Sequence, residues 1–141
     1  MAIAYLGLGS NLGDRARNIR EALDRLPSAG IQVLKTSSLM ESEPAGGPPQ
    51  NDYLNAVTKV STSLNPLDLL SALKSIETRM GRIKTVRNGP RVIDIDILLF
   101  EGVTMRTDTL TIPHPRMRQR AFVMNPLKEI EPELNLNEQS F

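Results

Sequence analysis

Cysteine and tryptophan are absent from this chain of 141 residues, and histidine occurs once. Without cysteine there is no disulfide framework and no thiolate to act as nucleophile or metal ligand, which suits a reducing compartment. Aromatic residues make up only 4%, too few for a platform on which bases stack. The formal net charge is +1, whereas a general nucleic-acid surface needs many uncompensated Lys and Arg. Long hydrophobic runs are missing as well. The start, Met1-Ala2-Ile3-Ala4-Tyr5-Leu6, has no basic leader and soon meets Gly7, Gly9 and Asn11, so neither a signal peptide nor a membrane span is expected. The length and the 40% hydrophobic content predict one domain over residues 1–141, cytoplasmic, with neither nucleic acid nor membrane as partner.

The charge that is present is unevenly spread. Lys74, Arg79, Arg82, Lys84, Arg87 and Arg91 face only Glu77 in their stretch, while the tail carries Glu129, Glu131, Glu133 and Glu138. A basic stretch alone fits a solvated face, but one beside paired acids fits a small polyanion bridged by metal. Those acids are Asp94 and Asp96, each flanked by Ile in the run Ile93-Asp94-Ile95-Asp96-Ile97 after the turn Gly89-Pro90. The pattern predicts a strand. Alternation then sends both carboxylates out of one face roughly 6–7 Å apart, with Ile93, Ile95 and Ile97 entering the core from the other. Two like charges at that spacing repel and are costly to desolvate unless a cation or proton neutralises them. Mg²⁺ commonly takes one or two carboxylates and completes its shell with water and phosphate oxygens. A bare Asp-x-Asp fits a merely wet strand face about as well. Arg91 and Gly89-Pro90 tilt the balance towards metal, because a cation beside a metal site suits a phosphate ligand.

In chain order, Ala2 to Leu8 predicts a strand entering a glycine-rich turn, Gly9 to Asp14, where a structural turn is the simpler reading than an anion site. Asp14 is placed to cap a helix with Ile19, Ala22, Leu23 and Leu26 at helical spacing, ended by Pro27. Ile31 to Leu39 predicts a second strand. Residues 41–52 form a loop by composition, with three Pro and two Gly in twelve residues. Tyr53 to Thr62 returns as a strand that presents Tyr53, Asn55 and Val57 on one face; the Asn55 amide could read a heterocycle edge with donor and acceptor, or satisfy backbone. Asn65-Pro66 opens a helix with Leu69, Leu70, Leu73, Ile76 and Met80 in its stripe and Glu77 near the stripe's edge. Residues 82–90 form a basic loop. Both loops are expected to move in the free protein and to become ordered around ligands. A short strand pair around Val103 and Leu110 follows, then Ile112-Pro113-His114-Pro115, which predicts His114 on an exposed turn as a ligand contact. Arg116, Arg118 and Arg120 lie on a period-two stretch or a short turn, and Pro126 to Leu134 predicts a brief helix. The order β-α-β-β-α-β with a small β and α appendage predicts an α+β fold: a ferredoxin-like antiparallel sheet with helices packed on one face, plus a small C-terminal appendage.

Five segments, in this order and spacing, resemble a known family, the hydroxymethyldihydropterin pyrophosphokinases of folate biosynthesis. They are Tyr5-Leu6-Gly7-Leu8-Gly9-Ser10-Asn11-Leu12-Gly13; Glu41-Ser42-Glu43-Pro44 with Gly46; Asp52-Tyr53-Leu54-Asn55-Ala56; Gly89-Pro90-Arg91 with Asp94-Ile95-Asp96; and Ile112-Pro113-His114-Pro115. The resemblance implies transfer of pyrophosphate from ATP to 6-hydroxymethyl-7,8-dihydropterin with release of AMP. It implies two Mg²⁺ ions on Asp94 and Asp96, which with Arg82 and Arg91 are the catalytic candidates. Glu77, Arg82, Lys84, Arg91, Ile97, Thr111, His114 and Arg120 would meet ATP. The pterin would stack between Tyr53 and Phe122, with Ser42, Ala45 and Asn55 at its hydrogen-bonding edge. Association with other folate-pathway enzymes is a further implication.

There are departures from the family pattern. Asn88 stands where some members carry Trp, Thr109 and Lys84 stand where Arg occurs, and Pro115 replaces a common aromatic; together these imply looser packing over the pterin and a looser grip on ATP. Two other classes compete. A Mg-dependent nucleotidyltransferase pairs Gly-Ser with a nearby Asp-x-Asp, but Gly9 and Asp94 are more than eighty positions apart. A non-catalytic ferredoxin-like binding module is disfavoured by the scarcity of aromatics and by acids that would repel phosphate without metal.

Overall fold

The computed structural model describes residues 1–82 and 89–134, and Lys84, Arg87 and Asn88 lie outside them. The first strand, β1 (Ala2–Ser10), runs two residues further than Leu8, so Gly9 and Ser10 are strand rather than turn. Asp14 caps α1 (Arg15–Arg25) by accepting from the Arg17 N–H at 3.2 Å, which satisfies one of the donors a helix start leaves free. Ile19, Ala22 and Leu26 are buried. A 3₁₀ turn, Pro27–Ala29, and Gly30 at φ 84° then reverse the chain into β2 (Ile31–Thr36).

β2 stops three residues before Leu39, and a separate β3 (Met40–Ser42) occupies the start of the predicted loop. Both lie on one edge of β4 (Tyr53–Thr62): β2 pairs from Ile31 with Thr62 to Thr36 with Thr58, and β3 from Met40 with Asn55 to Ser42 with Tyr53. Between them the Ser37 Oγ accepts from the Val57 N–H at 2.9 Å, so a side chain covers a donor that the interrupted ladder leaves. α2 (Pro66–Arg79) is capped by Asn65, whose Oδ1 accepts from the Asp68 N–H at 2.8 Å, with Pro66 at the first helical position.

The principal sheet has the order β2-β4-β1-β5, with β5 (Asp94–Phe100) at one edge and every neighbour antiparallel. This is the split βαβ arrangement expected from the element order. Ala4, Leu6, Leu8, Ile93, Ile95 and Ile97 meet Ile19, Ala22, Leu69, Leu73 and Ile76 of α1 and α2 in the larger core. A small ribbon follows, β6 (Met105–Arg106) with β7 (Thr111–Ile112), slightly displaced from the predicted Val103 and Leu110. Arg116 to Arg120 form a 3₁₀ turn, Met117–Gln119, with its flanks.

The last helix corrects the expected appendage. α3 (Ala121–Ile130) starts five residues before Pro126, ends before Leu134, and covers the opposite face of the sheet. Val123, Leu127 and Ile130 pack there on Tyr5, Val57, Leu98 and Leu99 as a second core. Proline costs a helix interior one N–H, which tertiary burial can offset; Val123, Pro126, Leu127 and Ile130 are all buried.

Candidate active site

Pleating carries the site. Asp94 and Asp96 leave β5 on the α3 face, and their partners across the β1 ladder are Gly9 and Gly7. Glycine leaves open space beside each acid where any other residue would project a side chain. A register shift between Tyr5 and Leu6 leaves Leu98 as the extra residue on β5, so both Leu98 and Leu99 reach the second core, and Leu98 lines the hollow beside the acids. Asp94, Asp96 and His114 line two adjoining cavities, of about 150 Å³ and about 340 Å³.

The smaller cavity gathers Ser42, Ala45, Tyr53, Asn55, Arg120 and Phe122, all of them candidates, together with Gly7, Gly9, Glu43 and Val123. Asn55 donates to the Met40 carbonyl at 3.0 Å and to the Ser42 Oγ at 2.8 Å. Its two donors are thus engaged within the protein, and what remains for a ligand is the Asn55 Oδ1 as acceptor and the Ser42 hydroxyl as donor. The Tyr53 hydroxyl is held above its ordinary pKa, first by burial and then by Asp94. The Arg120 guanidinium sits 5.5 Å from the Phe122 ring centre, within cation–π range. Arg120 lines this cavity and is not among the residues of the larger one, where a nucleotide contact was expected.

The larger cavity is lined by Glu77, Arg82, Ile97, Thr111 and His114, with Lys74, Thr109 and Pro115 on the same wall. Glu77 proves buried rather than at the edge of its stripe, only 4% exposed. Its Oε2 accepts from the Ile95 N–H at 2.7 Å and its Oε1 from Arg82 at 2.6 Å. Ile95 lies on the outer edge strand, so the carboxylate covers an edge donor and anchors Arg82, which also donates to the Asp94 Oδ1 at 3.1 Å. Burial raises the Glu77 pKa, opposed by that backbone hydrogen bond and by Arg82. Asp96 is pushed up to about 7, first by burial, then by Asp94 and Glu77. His114 is half-buried, not on an exposed turn: its N–H donates to the Leu98 carbonyl at 2.9 Å and its Nδ1 accepts from the Arg116 N–H at 3.3 Å. Burial and then Arg120 lower its pKa, so it is neutral at pH 7. Arg91 lines neither cavity.

Sequence reasoning passed over Gly7 as an ordinary strand residue and Gly9 and Asn11 as parts of a turn. The signal for the glycines was present: Tyr5, Gly7 and Gly9 share one strand face at period two. Asn11 carried no local signal, since its partners lie 39 to 80 positions away. The sheet makes Gly9 the direct partner of Asp94, but the two come from separate strands and not from the one local strand-turn unit expected of a nucleotidyltransferase.

Comparison with known proteins agrees with the resemblance. Residues 5–132 match the family described as 7,8-dihydro-6-hydroxymethylpterin-pyrophosphokinase. The 2-amino-4-hydroxy-6-hydroxymethyldihydropteridine pyrophosphokinase of Bacillus subtilis is 46% identical over 129 residues, 91% of this chain and 77% of that one. The folic acid synthesis protein FOL1 of Dictyostelium discoideum is 48% identical over 130 residues, 92% of this chain but 20% of its own length. The chain therefore spans about a fifth of that relative. The crystal structure of Plasmodium falciparum HPPK-DHPS wild type with SDX-DHP superposes with a TM-score of 0.70, covering 97% of this chain and 41% of that one, and at 20% identity it speaks to the fold alone. With nearly its whole length matched, the chain belongs to the 7,8-dihydro-6-hydroxymethylpterin-pyrophosphokinase family.

Proposed function

We propose that residues 1–141 act as one catalytic domain that moves the β,γ-pyrophosphoryl group of ATP to the hydroxymethyl oxygen of 6-hydroxymethyl-7,8-dihydropterin and releases AMP. The observation that carries this reading is the wall of Asp94, Asp96 and His114 between two cavities of different character. The smaller takes the pterin, with Tyr53 and Phe122 on its rings and the Ser42 hydroxyl and Asn55 Oδ1 at its edge. The larger takes the nucleotide against Glu77, Ile97, Thr111 and His114, with Arg82 beside its phosphates; Lys84, Arg91 and Arg120 are phosphate contacts by the family resemblance, Arg120 reaching from the smaller cavity.

The donor set suits Mg²⁺. Two hard carboxylates open onto both cavities, and the upward push on Asp96 marks a place that favours a cation. Among the described residues no cluster of three or more metal-ligating side chains occurs, so phosphates and water would complete each shell. Bound there, two Mg²⁺ ions would neutralise charge around the β-phosphorus and make the pterin hydroxyl more acidic. Arg82, tethered by Glu77, keeps a positive charge beside Asp94 for the polyphosphate. His114, whose Nδ1 accepts from the Arg116 N–H, carries its proton on Nε2 and can donate a hydrogen bond at the junction without adding charge.

The name HPPK-DHPS on the Plasmodium relative supports association with other folate-pathway enzymes as part of this proposal. Among the described residues no helix is long and apolar enough to cross a membrane, and the reaction is assigned to the cytoplasm. Incubation with Mg-ATP and the pterin, followed by nucleotide chromatography, tests the reading. AMP formed in step with pterin diphosphate is expected. ADP as the main product refutes pyrophosphoryl transfer, and no pterin-dependent turnover returns the chain to the binding-module class.

A further inference from the structure

We infer that Glu131 is a positioning residue for pterin binding: its carboxylate joins β1 and β4 at one end of α3 and so sets how the other end, with Arg120 and Phe122, stands over the pterin cavity. The inference rests on the function proposed above and deepens it. The Glu131 Oε1 accepts from the Tyr5 hydroxyl and from the Lys59 ammonium, each at 2.6 Å. Tyr5 and Lys59 are direct partners across the ladder of β1 with β4, so one oxygen gathers both side chains of a single rung. Tyr5 is buried, and Lys59 and Glu131 are partly so.

That rung shares its face with the cavity. Side chains alternate along a strand, so Tyr5, Gly7 and Gly9 of β1 and Lys59, Val57 and Asn55 of β4 lie on the same side, paired in that order. The second and third pairs line the pterin cavity. Two rungs span roughly 13 Å at strand rise, and the stretch from Phe122 to Glu131 spans about 13 Å at helix rise. α3 therefore lies as a rod over this part of the sheet, clamped at the rung of Tyr5 and Lys59 and reaching the rung of Gly9 and Asn55 with Phe122. No side-chain hydrogen bond caps its first turn. Val123 there packs into the second core, whose Val57 and Leu98 also line the cavity.

A carboxylate suits this place. Its oxygen accepts from a cation and a hydroxyl at once, and it meets the charge that a partly buried Lys59 brings beneath the helix. Glu129, two residues earlier, is tied to Ser38 between β2 and β3, so loss of Glu131 would leave α3 attached and let it turn about that tie. The end displaced is the one over the pterin. The larger cavity is lined by residues of α2, β5 and the β6–β7 ribbon with their flanks, and by none of α3, which makes the effect selective between the two substrates.

Steady-state kinetics for both substrates, with thermal midpoints, read the outcome. For Glu131→Ala we expect the pterin KM to rise about fivefold and the ATP KM to stay within about twofold, because a small displacement over the pterin rings weakens that contact alone. Glu131→Gln keeps an oxygen within reach of both donors and should recover most of the loss. Tyr5→Phe should shift the pterin KM the same way by less, and adding it to Glu131→Ala should change little further, since the two act through one contact. Ile19→Val, in the core on the opposite face of the sheet, is the structural comparison: its midpoint should fall about as far as that of Tyr5→Phe with both KM values unchanged. Unchanged pterin KM in Glu131→Ala and Tyr5→Phe, with only the midpoint lowered, overturns the inference; so does an equal rise of both KM values, or Glu131→Gln no better than Glu131→Ala. Should Glu131→Ala fail to fold, Tyr5→Phe decides by its pterin KM against that of Ile19→Val. The parent enzyme is the control: pterin-dependent AMP release with unaltered variant KM values refutes the clamp, whereas no such release refutes the reaction itself and this inference with it.

Discussion

At the scale of single residues, Asp94 and Asp96 are held in place by isoleucines on the opposite face, so their charge is not needed to build the strand. Replacing either by Asn would remove a proposed metal ligand and relieve the repulsion between them. Pyrophosphoryl transfer should fall by about a hundredfold or more while the thermal midpoint holds or rises; activity within about tenfold of the parent at saturating Mg²⁺ would count against metal binding there. The glycines opposite the acids make a second, purely steric case. A Cβ on Gly9 would lie 3.2 Å from the Asn55 Oδ1 and 3.3 Å from the Tyr53 ring, whereas on Gly7 it would meet only the end of Leu98 at 3.4 Å. Asn55 is fixed by its own hydrogen bonds and a leucine end can turn aside, so Gly9→Ala should raise the pterin KM by about tenfold and Gly7→Ala by much less. Pterin titrations of both variants at fixed ATP check the contrast. The acids were legible from the sequence because alternation is a local rule. The burial of Glu77 was not: helical periodicity located it near an apolar stripe, but its partner, the Ile95 N–H, is supplied by a strand the helix pattern knows nothing of.

At the scale of elements, α3 brings Arg120 and Phe122 to the smaller cavity, and two acids dock it. Glu129 accepts from Ser38, at 2.8 Å from its N–H and 2.6 Å from its hydroxyl. The Glu131 Oε1 accepts from Lys59 and from the buried Tyr5 hydroxyl, both at 2.6 Å. Tyr5→Phe leaves Lys59 in place and should cost about 1–2 kcal/mol, measured by urea unfolding. The pH dependence follows from Glu131, whose pKa is lowered first by the Lys59 hydrogen bond and then by that of Tyr5. A lowered folded-state pKa means stability that is complete above the unfolded value, about 4.3, and lost as pH falls through the folded one. Glu131→Gln should therefore lose less stability than the parent between about pH 5 and pH 3. Caps and stripes made α1 and α2 readable from sequence, Asp14 and Asn65 above all. α3 and β3 were misjudged for a common reason. Pro126 invites a helix start and the Pro/Gly content invites a loop, yet packing on the far face of the sheet and pairing with β4 decided both.

For the molecule as a whole, both cores share the sheet, and the cavities meet where its last strand is open to both. Chelation of Mg²⁺ should abolish turnover and re-addition restore it. The thermal midpoint without nucleotide should hardly change, because two carboxylates alone make a weak site that phosphates complete; a large loss of stability on chelation would instead indicate a structural ion. The ferredoxin-like order was readable from the sequence of elements; Ser42, Ala45, Tyr53, Asn55 and Phe122 line one cavity and Glu77, Arg82, Ile97 and Thr111 the other, whereas Arg120 lines the first and Arg91 neither. The hydrogen bonds of Asn11 to Gln50, Asn51 and Arg91 were not readable, since they span separations no local pattern encodes. The alternation on β5 has one more consequence, for how the chain finds its alignment. Sliding β5 by one position against β1 would drive both carboxylates in among Leu6, Leu8 and Ile76 and turn three isoleucines out to water. Burying each unpaired charge costs several kcal/mol, so a mispaired sheet is rejected by the same groups to which the proposed chemistry is assigned. The double variant Asp94→Asn/Asp96→Asn, stable once folded, should for that reason refold with a larger misaligned fraction, because the two carboxylates that would reject the shifted register are gone.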